Sequence, residues 1–337
     1  MEIAKITTPK DWVYFAKGSA NILFKYVGSH DFLKDKLLRI RLAKETAEYI
    51  STCELYDFVE LKCKPLFADS FIDAQLIVLE QQFLAQLDLR GNKIMTLERY
   101  GLLTPNVLNG DYIRHLLSKH CQLYIGTQEP LQQVIFEIKP KWLYDNNRTN
   151  YCRTCLLNQL RDHPRHFCPL DLLYEDTINK GLSDLFSPIP DEVLSQLDRE
   201  KFPVKKLFEA FLRKPDNVFL KLKCYQKTND PSAELMQLQL SKDVSIDLSL
   251  IMTLRDVGVF IKFERYNNES GLQNPKHMGD NIVSMDEYGK FLITCNIYDL
   301  DLKSQMKFKY WQSIEVKLGP IYNSSNPNWI PCVKHSD

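Results

Sequence analysis

Short apolar runs separated by small or polar residues open the chain. Trp12-Val13-Tyr14-Phe15-Ala16 leads through Lys17-Gly18-Ser19-Ala20 into Asn21-Ile22-Leu23-Phe24-Lys25-Tyr26-Val27. Two strand-length runs on either side of a glycine-containing turn predict a hairpin, and residues 36–41 predict a third strand. Residues 43–62 and 70–90 carry helical spacing, with Phe71, Ala74, Ile77, Val78, Phe83 and Leu84 on one broad face. Strands follow at 121–125 and 134–136, on either side of a turn at 126–130.

The character changes after Lys141. Residues 145–150 are a run of Asp, Asn, Arg and Thr that predicts a polar loop and a lobe boundary. Residues 171–214 read as mainly helical, broken at 187–190 and at Pro203. Apolar runs at 257–263 and 291–298 predict two late strands, with a polar insertion at 267–280 between them. A β-rich first part followed by a larger mixed part is an α+β, two-lobed arrangement, with an N-lobe over 1–138 and a C-lobe over 139–337.

Length and composition narrow the class. A chain of 337 residues suits about two domains at roughly 150 residues each. Forty-three basic and 43 acidic residues cancel, which argues against a long nucleic-acid footprint. Nine cysteines, an odd number without framework spacing, fit reduced thiols better than a secreted disulfide scaffold. No signal-peptide pattern opens the chain, and no apolar run approaches the ~20 residues that span a bilayer. The expectation is a nuclear or cytoplasmic protein with no membrane or direct nucleic-acid partner.

Three places carry candidate chemistry. Glu137-Ile138-Lys139-Pro140-Lys141 closes an apolar run and reads as the end of a buried strand. Period-two alternation would point Glu137, Lys139 and Lys141 the same way, while Pro140 marks a strand end or an edge. Two lysines beside a carboxylate form a cationic patch; the plainer reading is a solvated charge run.

Asp299-Leu300-Asp301-Leu302-Lys303 ends the second late strand, and the residues after it read as a helix with Lys303, Lys307 and Trp311 on one face. A strand-end carboxylate can hold a divalent cation while neighbouring lysines neutralise phosphate oxygens; an ordinary amphipathic helix with solvated lysines is the alternative. Asp256, just before the other late strand, supplies a second acid, so metal binding and proton abstraction could be divided between the two. Either acid is equally compatible with a cap or turn. Gly18-Ser19-Ala20-Asn21 could lay backbone amides over nucleotide phosphates, with Arg39 on the neighbouring strand. One glycine makes it neither a Walker A loop nor a three-glycine kinase loop.

In this order, Gly18-Ser19-Ala20-Asn21, Leu38-Arg39-Ile40, Glu137-Ile138-Lys139-Pro140-Lys141, Pro169-Leu170-Asp171-Leu172, Asp216-Asn217, Arg255-Asp256 and Asp299-Leu300-Asp301-Leu302-Lys303 resemble the inositol-pentakisphosphate 2-kinase family, in a compact fungal-type member. The resemblance implies a fold distantly like protein kinases, acting as a monomer on ATP, Mg2+ and inositol 1,3,4,5,6-pentakisphosphate. The product would be inositol hexakisphosphate, phytate. Gly18, Ser19, Ala20, Asn21 and Arg39 would then bind ATP phosphates, with Glu137 near the adenine end of the hinge. Lys139 and Lys141 would lie at the phosphoryl-transfer site, Lys139 with a catalytic role. Asp256 matches the acid that orients or deprotonates the accepting hydroxyl, and Asp299 the metal-binding acid. Lys303, Lys307 and Asn217 match substrate contacts, as does Arg99 at a different spacing.

Two departures accompany the resemblance. Plant members carry a Cys/His zinc site between the asparagine and the later aspartate, whereas the 38 residues between Asn217 and Asp256 hold only Cys224. A lysine of some relatives is Cys155 here, with Arg153 nearby to compensate. Cys152, Cys155, His163, His166 and Cys168 are a separate cluster of soft ligands; thiols and surface histidines are the simpler reading. The competing functions are another inositol-phosphate kinase, or a non-catalytic scaffold that binds inositol phosphates.

Overall fold

The hairpin around Gly18 forms. Strands β1 (Trp12–Lys17) and β2 (Asn21–Tyr26) run antiparallel, and the Gly18 amide donates to the Asn21 carbonyl at 2.9 Å. In the computed structural model, which describes residues 1–43, 49–95, 97–144, 152–162, 166–266, 281–318 and 320, β3 (Lys36–Arg41) pairs next. The sheet is completed by β4 (Gln75–Val78) and β5 (Tyr100–Pro105) in the order β1-β2-β3-β5-β4. Alternation along β2 buries Ile22, Phe24 and Tyr26, which join Trp12, Leu38 and Ile77 in one core.

The helical expectation at 43–62 is met by α1 (Thr52–Phe58), whose start is closed by a Ser51–Glu54 capping box; residues 44–48 lie outside the described residues. The expectation at 70–90 is corrected. Residues 75–78 are strand β4, paired to β5, and only α2 (Gln81–Ala85) is helical. A short apolar run does not declare its period, and here the unexpected β5 supplies the edge that decides it.

A second, six-stranded antiparallel sheet runs β10-β11-β9-β8-β7-β6. Its strands are β6 (Tyr112–Ser118), β7 (Cys121–Gly126), β8 (Gln133–Ile138), β9 (Gly258–Arg265), β10 (Ile282–Met285) and β11 (Gly289–Tyr298). Of these, β7, β8, β9 and β11 match the predicted runs, and β6 and β10 lie outside them. The chain divides into two compact units, Met1–Asn109 and Gly110–Asp337. The sequence boundary at 138/139 differs because β8 is a central strand of the second unit's sheet. The loop at 145–150 and the insertion at 267–280 lie outside the described residues.

After α3 (Arg153–Leu160), helices α4 (Ile178–Phe186), α5 (Asp191–Arg199) and α6 (Val204–Leu212) fill the stretch predicted as helical. Phe186 and Phe208 from these helices meet Phe136 on β8, and Phe208 also meets Phe263 on β9, at ring separations of 5.1–6.0 Å. A separate core gathers Trp142, Tyr144, Leu248, Ile251, Phe308 and Trp311. It is built from α7 (Val218–Thr228), α8 (Ser232–Gln237), α9 (Ile246–Leu254) and α10 (Phe308–Leu318) with the segment leaving β8. The protein is thus a mixed α+β chain with two antiparallel sheets. No helix among the described residues is long and apolar enough to cross a membrane.

Candidate active site

Antiparallel pairing brings the chemistry together. Ile138, the last residue of β8, pairs with Val259 at the start of β9, and Gly258 pairs with Tyr298 at the end of β11. The residues just beyond these three ends, Lys139, Asp256 and Asp299, therefore converge at one edge of the sheet although they are far apart in sequence.

Their side chains interlock. Lys139 Nζ donates to Asp299 Oδ2 at 2.8 Å and lies 5.6 Å from the Tyr298 ring centre. Asp256 accepts from two lysines, Lys141 on one carboxylate oxygen and Lys303 Nζ on the other at 2.9 Å. Burial by itself would raise the Asp256 pKa, but the charges of Lys141 and Lys303 outweigh it and hold the carboxyl well below the usual range. Burial likewise works against the charge on Lys139, and Asp299 more than offsets it, leaving the ammonium pKa raised. The result is a compact lattice of three cations and two carboxylates.

The alternation expected through Glu137, Lys139 and Lys141 does not extend that far. Strand β8 stops at Ile138, and Lys141 adopts a left-handed conformation with φ of 66°. Asp299 is also left-handed, with φ of 63°. Non-glycine residues persist in this region only where the surroundings hold them. The helix expected from Lys303 begins later: Gln305–Lys307 is a short 3-10 turn and α10 starts at Phe308. Lys303 reaches Asp256 from the extended segment before it.

Glu137 accepts from two phenols, Tyr124 at 2.8 Å and Tyr298. Burial and the adjacent Glu137 carboxylate together push both hydroxyl pKa values far up, so they stay protonated donors. Phe260 stacks on Tyr298 at 4.6 Å. Gly258 makes that stack possible, since a Cβ there would fall 2.1 Å from the Tyr298 ring.

Other predicted residues are placed differently. Asn217 caps α7: its oxygen accepts from the Phe219 and Leu220 amides, and its nitrogen donates to the Leu212 and Lys214 carbonyls. Arg153 is buried against Glu315, with its guanidinium 4.6 Å from the Trp142 ring centre. Asp171, within Pro169-Leu170-Asp171-Leu172, is fully buried with Lys180 at 3.5 Å. Lys307 lies in the 3-10 turn ahead of α10. Gly18, Ser19, Ala20, Asn21, Arg39 and Arg99 belong to the first unit, with Arg99 exposed.

Two metal chemistries have donors. Asp299, one third exposed, offers a hard carboxylate oxygen of the kind magnesium takes. The sulfurs of Cys152, Cys155 and Cys168 are buried and lie within 4.8 Å of one another, a soft donor set that fits a zinc-like ion. His163 lies outside the described residues.

The ion lattice yields a stability prediction. Because the folded pKa of Asp256 lies below the unfolded value of about 3.9, its contribution is complete above that pH and is lost as pH falls through the folded value. Asp256→Asn should melt below wild type by a margin that is flat from neutrality down to about pH 5 and closes in stronger acid. A margin that widens on acidification, followed by circular dichroism, contradicts the pairing.

With this geometry in view, the family is plain. The inositol-pentakisphosphate 2-kinase family model matches residues 14–217 and 192–317. An inositol-pentakisphosphate 2-kinase of Debaryomyces hansenii is 55% identical over 100% of this chain and 98% of its own length. Proteins of the same name from Saccharomyces cerevisiae and Candida glabrata are 27% and 24% identical, each over 92% of this chain and 98% of their own. The chain belongs to the inositol-pentakisphosphate 2-kinase family.

Proposed function

We propose that this chain transfers the γ-phosphate of ATP to the 2-hydroxyl of inositol 1,3,4,5,6-pentakisphosphate, giving inositol hexakisphosphate. The observation that carries the reading is the lattice of Lys139, Lys141 and Lys303 with Asp256 and Asp299 at one sheet end, in a chain of this family. A polyphosphorylated substrate needs gathered cations even in a protein of zero net charge. A binding protein has no use for two acids set among them.

The chemistry follows from charge exchange. Substrate phosphates compete with Asp256 for Lys141 and Lys303. As those lysines turn to phosphate, the Asp256 carboxylate is released and its pKa moves back toward the ordinary range. It then accepts a hydrogen bond from the 2-hydroxyl and takes its proton late, as phosphoryl transfer requires. Lys139, poised on Asp299, neutralises the transferring phosphoryl group. Asp299 is the residue that would hold magnesium, which when bound would supply positive charge against the ATP phosphates. In this kinase-like reading the Gly18–Asn21 hairpin amides and Arg39 bind ATP phosphates.

Purified protein given ATP, magnesium and inositol pentakisphosphate should form hexakisphosphate; folded protein that forms none overturns the reading. Substrate affinity should also fall with salt, because several attractions between partly exposed lysines and phosphates are screened together. Affinity that is flat between low and high salt by calorimetry contradicts a lysine-lined phosphate site.

A further inference from the structure

Each charged group of the lattice sits just outside regular structure. Lys139 and Lys141 follow β8, Asp256 lies in the turn after α9, and Asp299 and Lys303 follow β11. Something other than helix or sheet hydrogen bonding must hold these three segments in register. Two buried, uncharged polar side chains do so.

Gln226, on α7, is fully buried and spends its whole amide on backbone. Its Oε1 accepts from the Leu143 amide at 2.7 Å, and its Nε2 donates to the carbonyls of Lys141 and Leu254, each at 3.1 Å. One side chain thus grips the left-handed Lys141 loop from both sides and ties it to the residue two before Asp256. Thr253, at the end of α9, is also fully buried. Its Oγ1 lies 2.9 Å from the Ser249 carbonyl in its own helix and 3.0 Å from the carbonyl of Asp301, between Asp299 and Lys303. Its single proton serves both acceptors in turn. The Asp256 amide in turn donates to the Thr253 carbonyl at 2.9 Å.

Burying an amide and a hydroxyl is costly unless they are fully bonded, and apolar residues of the same shape would suit helices that already bury Leu222, Ile251 and Leu254. The bonds made here all end on the segments that carry the lattice or on the helix beside them. We propose that Gln226 and Thr253 are positioning residues for phosphoryl transfer, joining the Lys141 loop, the Asp256 turn and the Asp299–Lys303 segment into one rigid frame. This rests on the assignment of Lys141, Asp256 and Lys303 to the site.

The test is steady-state kinetics of the full chain with ATP, magnesium and inositol pentakisphosphate, combined with double-mutant cycles. Gln226→Met should lower kcat by about tenfold to a hundredfold, the scale of a small misplacement of reacting groups, with KM for ATP unchanged. In a Lys141→Ala background the same substitution should cost several-fold less than in wild type, because one of the two groups it positions is already gone while its bond toward the Asp256 turn remains. Thr253→Val, a smaller perturbation, should lower kcat about threefold to tenfold and lose most of that effect in a Lys303→Ala background. It carries the test if Gln226→Met does not fold. Folded variants with wild-type kcat, or losses that simply multiply in the double mutants, overturn the proposal. If Lys141→Ala and Lys303→Ala alone are silent, the site assignment itself fails and the positioning role falls with it.

Discussion

Asp299→Ala should abolish turnover while the protein remains folded. The carboxylate sits one residue beyond β11, one third exposed, with Lys139 as its partner, so its removal takes away no core contact. On the proposed reading it takes away the oxygen that would hold magnesium. The expected loss is about a thousandfold or more, at or above that of a single preorganised electrostatic group. Alanine also strains a backbone with φ of 63°. Asp299→Asn is therefore the sharper variant, since asparagine tolerates the left-handed region and removes only the charge. Both should be inactive, and the asparagine form should melt close to wild type. Near-wild-type activity in saturating magnesium would show that the metal is held elsewhere.

Asp256→Asn should lower the single-turnover rate strongly, by about a hundredfold or more, and leave affinity for inositol pentakisphosphate at least as tight as wild type, because the carboxylate no longer competes for Lys141 and Lys303. Asparagine keeps the size and some hydrogen bonding but has neither the charge nor the basicity. The alternative, that Asp256 only caps the turn after α9, fits the structure poorly. Its two carboxylate oxygens accept from Lys141 and Lys303, not from the amides of the turn. A cap would tolerate asparagine almost silently. A silent Asp256→Asn, with rate and binding measured together, would move the proton-handling role to another acid, Asp301 first.

Charge made most of the site legible in the sequence. Lysines and aspartates at the ends of apolar runs are conspicuous, and Lys139, Lys141, Asp256, Asp299 and Lys303 do converge. The strands carrying them were legible for the same reason, because β8, β9 and β11 are buried and apolar along much of their length. Partnership decided what pattern alone did not. Strand β4 resembles a helix until β5 is there to pair with it. Lys141 departs from the alternation because its loop is gripped by Gln226. Asn217 looks like a substrate contact, yet its amide is fully used in capping α7. Arg153, expected beside phosphate, is instead buried on Glu315 with its guanidinium over the Trp142 ring. Gln226, Thr253, Tyr124 and Tyr298 carry no charge pattern or motif, and only the folded geometry discloses what they hold.

The most direct test of the account is where the transferred phosphate lands. Wild-type protein, ATP labelled in its γ-phosphate and inositol 1,3,4,5,6-pentakisphosphate should give one product in a single turnover. Phosphorus and proton NMR should place the label on the 2-position of inositol hexakisphosphate, and Asp256→Asn should form little of it on the same timescale. Label on an existing phosphate as a pyrophosphate, label at another hydroxyl with a different pentakisphosphate isomer preferred, or an equal rate from the asparagine variant would contradict the account.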